Sequence, residues 1–166
     1  GVISTALKRE QADPALVATA ITVMTTLNGS ASEAALACGV RAATDVTGFG
    51  LLGHLREMCV GSGVGAIVEH SEVPVIDGVR DLVARGMVAG GTQRNHAFVA
   101  PDVDFGTLPE AEQFLLADAQ TSGGLLLAVP AEGAAALVAA LEARGTLAAA
   151  VIGRTTEPNP GRIEVR

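Results

Sequence analysis

The sequence predicts an α/β fold, a layered α/β/α sandwich. Three observations carry that expectation. Helical and strand-like patterns mix along the chain. Residues 123–129 are wholly apolar, the pattern of a central strand covered on both faces. Val40-Arg41-Ala42-Ala43 reads as a buried strand and runs through a glycine-rich turn into Leu51, Leu52, Leu55 and Met58 at helical spacing. That last junction exposes a carboxylate, a hydroxyl and free backbone N–H groups at one sheet edge, where a helix N-terminus attracts anions.

In order, residues 1–12 read as a short helix. Asp13-Pro14 opens a second, with Asp as N-cap and Pro at the first helical position. It runs through Leu16, Val17, Ile21 and Met24 to about Leu27. Its Thr and β-branched residues lower helix propensity, so burial is expected to hold it. Asn28-Gly29 stops it, and Ser30 or Ser32 caps a shorter helix ended by Gly39. The strand–turn–helix follows and ends near residues 61–63. Residues 64–70 form a strand, 76–85 a helix stopped by Gly86, and 87–104 an irregular loop. Residues 109–117 and 131–143 are helices. Residues 148–153 and 162–165 are strands that close the sheet around a turn at Pro158-Asn159-Pro160-Gly161.

At 166 residues the chain fits one domain with a proper core, and 49% apolar content opposes disorder. No apolar run reaches membrane-spanning length, so no membrane partner is expected. A net charge of −7, no Trp or Tyr and four Phe disfavour nucleic-acid binding, which asks for a basic stripe and stacking platforms. An acidic chain can still meet a nucleotide if a divalent cation screens the phosphates. Cys38 and Cys59 stand outside any ligand spacing and read as buried small hydrophobes in a reducing, cytoplasmic setting.

The residues alone leave each candidate site two readings. Asp45 is a helix N-cap, the favoured role, or a carboxylate holding a cation. Thr47, Gly48 and Gly50 make a tight turn or let backbone approach a ligand. Phe49 is a packing anchor, and His54 carries no assignment. Gly90-Gly91-Thr92 with Arg94 and Asn95 is a surface loop, or a phosphate or lid loop using the guanidinium fork. Gln120-Thr121-Ser122-Gly123-Gly124 leads into a strand or brings backbone to a cleft. His70 and His96 show no ligand spacing with Cys, and neither is expected to bind metal.

Thr44-Asp45-Val46-Thr47-Gly48-Phe49-Gly50-Leu51-Leu52-Gly53-His54-Leu55 resembles the hallmark run of the selenophosphate synthetase (selenide, water dikinase) family. Gly90-Gly91-Thr92-Gln93-Arg94-Asn95 and Asp118-Ala119-Gln120-Thr121-Ser122-Gly123-Gly124-Leu125-Leu126 agree with it in order, and Gly1-Val2-Ile3-Ser4-Thr5-Ala6-Leu7-Lys8 looks like the family's lead-in to this region. The resemblance covers essentially the whole chain. It implies that residues 1–166 are one C-terminal domain of the aminoimidazole ribonucleotide synthetase-like superfamily, a three-layer α/β/α sandwich around a mixed sheet.

The family's catalytic Cys or selenocysteine and its nearby Lys belong to an N-terminal domain. Neither Cys38 nor Cys59 is followed by such a lysine, and Lys8 is the only lysine. No catalytic residue is therefore expected here, and the first partner implied is the chain's own N-terminal domain. The resemblance further implies that Asp45 ligates Mg2+ bound to the substrate ATP. It places Thr47, Gly48, Gly91, Thr92 and Asn95 at the nucleotide. The implied reaction turns ATP, selenide and water into selenophosphate, AMP and orthophosphate, in an intact homodimer. Ala119 stands where the family usually has Pro, a departure that removes no chemical group. Two rivals stay open: another ATP-dependent phosphotransferase of the superfamily, and a non-enzymatic regulatory or assembly module.

Overall fold

The computed structural model describes residues 1–166. Its fold is the expected mixed α/β class, with helices layered against a mixed sheet. Three helices come first: α1 (Val2–Lys8), α2 (Pro14–Thr25) and α3 (Gly29–Ala37). Strand β1 (Ala42–Asp45) leads to α4 (Gly50–Ser62), then β2 (Gly65–Val68), α5 (Val79–Ala84) and α6 (Gly90–Val99). The chain closes with β3 (Val103–Asp104), α7 (Glu110–Leu116), β4 (Leu125–Ala128), α8 (Ala134–Ala143), β5 (Gly153–Thr156) and β6 (Ile163–Val165).

The strands form two pieces. A four-stranded mixed sheet has the order β3-β6-β2-β5, with β2 antiparallel to β5 and parallel to β6. The other piece is an antiparallel ribbon of β1 and β4 that sets Asp45 opposite Leu125. Helix α4 packs against both β1 and β2 and so joins the two, while α3 and α8 pack together, with α3 against β4. The main core lies between α4 and the sheet: Leu52, Cys59, Ala66, Val68, Val99, Leu116, Ile163 and Val165. A second cluster ties α1 to α5 through Val2, Ala6, Val79, Leu82, Val83 and Met87.

Several expectations give way to tertiary context. Residues 87–104 are not an irregular loop: α6 occupies most of them, because Thr92, Asn95, His96 and Val99 share an inward face whose polar groups all find partners. The apolar segment ending at Val129 is not a central strand, since β4 pairs with β1 alone and is only half-buried. Residues 148–152 are not a strand; β5 begins at Gly153 on a sheet edge, and β6 lies inside the sheet. Neither Ser30 nor Ser32 caps α3, whose N-cap is Asn28, and the Asn28 amide donates instead to the Gly123 carbonyl at 2.8 Å.

Asp13 does cap α2, accepting from the Ala15 N–H at 2.7 Å. Burial does not hold α2, which buries only Ala20 and leaves Ile21 and Met24 exposed. The hydroxyls of Thr19, Thr22 and Thr25 donate to carbonyls one turn back, which satisfies them without a packed face.

Leu52 is fully buried at the centre of the main core. Leu52→Ala is expected to cost about 3 kcal/mol, from lost transfer energy plus a cavity, and to lower Tm by about 10 °C in a chain of this size, read by calorimetry. Cys59 is 1% exposed, and burial pushes its thiol above the ordinary value. In the native protein at neutral pH, a thiol reagent should label Cys38 and spare Cys59 until unfolding. Because the folded thiol holds its proton more tightly than the unfolded one, its contribution is whole below the unfolded thiol's range. It is lost as pH rises through the folded value, and an alkaline melting series checks the sign.

Candidate functional site

Three distant segments meet at one edge of the molecule: the turn after β1, the first turns of α6, and the loop between α7 and β4. Backbone pairing fixes the first to the third. The Val46 N–H donates to the Gly124 carbonyl at 2.9 Å, the Gly123 N–H returns to Val46 O at 3.1 Å, and the Gln120 N–H reaches Thr47 O at 3.1 Å. Gly50 makes the junction possible. Its φ is +69°, and a β-carbon there would lie 2.6 Å from the Ala117 carbonyl oxygen.

The α6 segment is fixed by two side chains. Asn95 donates through Nδ2 to the Gly48 carbonyl at 2.8 Å and to the Ala117 carbonyl at 3.1 Å, so it clamps the glycine turn to the end of α7. Thr92 is fully buried, and its hydroxyl donates to Asp118 Oδ1 at 2.5 Å. The other oxygen of Asp118 accepts the Val2 N–H at 3.0 Å, and the Gly1 nitrogen lies 2.9 Å from it. Asp118 is 5% exposed and joins the start of α1 to the two other segments. Sequence reading missed this. An acidic residue before Ala-Gln-Thr-Ser-Gly-Gly has the composition of a surface turn, and nothing in one sequence shows that it turns inward.

Asp45 ends β1 with its side chain exposed and without a hydrogen bond or ion pair inside the chain. The N-cap reading fails, because α4 starts five residues later and its N-cap position is Phe49. Thr47 is half-buried, with Oγ1 3.1 Å from Nε2 of His54. Gly48 is exposed, and Gly91 lies in the first turn of α6, where the exposed Arg94 runs its guanidinium over Gly90 and Gly91. Phe49 is not a core anchor: it is 53% exposed and meets the His54 ring edge-on. His96 bonds Gln113 at 2.8 Å between Phe105 and Phe114, and His70 bonds the Arg166 carbonyl.

The edge can hold a hard cation only in part. Asp45 offers one free carboxylate, and no three His, Cys, Asp or Glu side chains come together anywhere in the chain. One carboxylate suits Mg2+, which keeps water and takes phosphate oxygens for its other positions. The edge is also open to solvent, with Asp45, Gly48 and Arg94 all exposed. Two shallow concavities, of about 200 and 250 Å3, lie beside Ile67, Asn159 and Arg162 and beside Ile76, Asp77 and Arg80, and neither touches the converging segments. No helix is long and apolar enough to cross a membrane.

Several known proteins are similar to this chain. The chain is 44% identical over its full length to a selenide, water dikinase of Cronobacter sakazakii. It is 47% identical over 97% of its length to one of Myxococcus xanthus, and 42% over its full length to one of Carboxydothermus hydrogenoformans. It spans about half of these relatives: 48%, 46% and 48% of their lengths. The crystal structure of the hydrogenase maturation protein HypE shares the fold, with a TM-score of 0.60 over 84% of this chain and 38% of that one, at 20% identity. Residues 3–166 match the family described as AIR synthase related protein, C-terminal domain, and the chain therefore belongs to that family.

Proposed function

We propose that this chain is the nucleotide-covering C-terminal domain of a selenide, water dikinase, which converts ATP, selenide and water into selenophosphate, AMP and orthophosphate. The observation that carries the reading is the convergence of three segments on one edge bearing a free carboxylate, Asp45. The relatives' shared name supports the reaction. Their greater length leaves room for a partner domain that supplies the nucleophile-handling thiol or selenol and a lysine.

Asp45 is one ligand of Mg2+, and the ion neutralises phosphate charge when bound. Thr47, Gly48 and Gly91 line the nucleotide with hydroxyl and backbone groups, and Arg94 offers a fork to phosphate oxygens. Asn95 keeps the glycine turn in place through its two backbone bonds and leaves its amide oxygen for the nucleotide. Thr92 serves the site from beneath, since its hydroxyl is spent on Asp118 and α6 is anchored by it. Phosphoryl transfer depends on positioning and charge neutralisation, so a covering wall affects rate without supplying a nucleophile.

In the intact protein, Asp45→Asn should lower selenide-dependent AMP formation by on the order of 100-fold, about 2.7 kcal/mol of barrier, with Tm unchanged. Undiminished activity would remove Asp45 from the metal and favour the regulatory-module reading. This chain alone should release no AMP from ATP with selenide and Mg2+, a result read by chromatography of the nucleotides.

A further inference from the structure

His54 takes no part in the reading above, yet its ring is held as a functional side chain is held. It lies in the second turn of α4, 8% exposed, and its only side-chain hydrogen bond is to Thr47 Oγ1 at 3.1 Å. Phe49 covers it edge-on, with centroids 5.7 Å apart and planes at 61°. Gly53 makes room for that cover, because a β-carbon there would lie 2.7 Å from Cβ of Phe49. The other ring nitrogen, Nδ1, looks toward the Glu57 carboxylate at 3.9 Å.

These contacts favour one placement of the ring proton. A carboxylate near one imidazole nitrogen favours N–H on that side. With the proton on Nδ1, Nε2 has only a lone pair and must accept. A hydroxyl has one proton and two lone pairs, so a Thr47 that donates inward to Nε2 shows only lone pairs outward.

We infer that His54 is a positioning residue for Thr47. The buried imidazole accepts the hydrogen bond of the hydroxyl and leaves Thr47 only acceptor lone pairs toward the edge, two residues from Asp45. An acceptor there selects a hydrogen-bond donor: the water shell of a divalent cation, not a bare phosphate oxygen, which would need a donor. This rests on the nucleotide-site reading and refines it by assigning Thr47 to the hydrated cation.

The bond is tested in this protein by 15N-resolved imidazole spectra of neutral His54. The expected spectrum shows Nδ1 protonated and Nε2 accepting, altered at Nε2 by Thr47→Val and restored by Thr47→Ser. A proton on Nε2, or a spectrum indifferent to Thr47→Val, overturns the inference. The consequence is tested in the intact protein by the Mg2+ concentration that half-saturates ATP use. Thr47→Val and His54→Phe should raise it about tenfold at unchanged Tm, and His54→Gln, which keeps an acceptor, should restore most of it. If Asp45→Asn weakens Mg2+ use and Thr47→Val does not, the assignment of Thr47 fails alone. If neither does, the nucleotide-site reading fails with it.

Discussion

A single buried carboxylate organises the edge where the three segments meet. Asp118 is surrounded by protein, and an ionised group there is costly unless each oxygen is met. The chain meets both: the Thr92 hydroxyl on one side, the Val2 N–H on the other. These donors come from segments 26 and 116 residues away, so the need to satisfy one charge fixes α1 and α6 against the loop that precedes β4. The same loop then pairs its backbone with Val46 and Thr47. Asn95, carried one turn beyond Thr92, reaches the Gly48 carbonyl as a result. The glycine turn is thus shaped from below by polar bonds, while the apolar core holds α4 behind it together with Val99 of α6 and Leu116 of α7.

This division separates supporting groups from contacting groups. No buried side-chain nitrogen or oxygen lacks a partner. What remains free at the edge is exposed: the Asp45 carboxylate, backbone around Gly48, and the first turn of α6 under Arg94. An exposed edge with one free carboxylate and no cluster of three metal-ligating side chains has the chemistry of part of a cation site. That agrees with a chain spanning about half of the dikinases it is related to. With a net charge of −7 on the chain, such an edge would meet a polyphosphate most readily with a divalent cation between them.

Local signals were legible where local physics decides. Asp13-Pro14 foretold both the cap and the start of α2, and the glycine-rich turn before Leu51 foretold the start of α4. The signals failed where a distant partner decides. The α6 segment looked like a loop because its inner face is Thr92, Asn95 and His96, polar groups that can be buried only because Asp118, Gly48, Ala117 and Gln113 receive them. The run at β4 looked central because its leucines are apolar on both faces, yet only β1 pairs with it. The motif runs singled out in the sequence are the segments that meet at the edge, but their letters do not show which side chains turn inward. Asp45 lost its bland role as a cap once α4 was seen to start at Gly50. Thr92 proved to be a buried anchor, and Asp118 proved to be its buried partner, which composition cannot show.

The most direct test of the clasp is native-state hydrogen exchange in Thr92→Val, a near-isosteric change that removes the hydroxyl and leaves the packing. The account predicts that opening free energies at Val2, Asn95, Ala119 and Gly123 fall together by about 2 kcal/mol, while those at Val68 and Val165 in the sheet keep their values. Equal protection losses at the edge and in the sheet, or none at either, would contradict it.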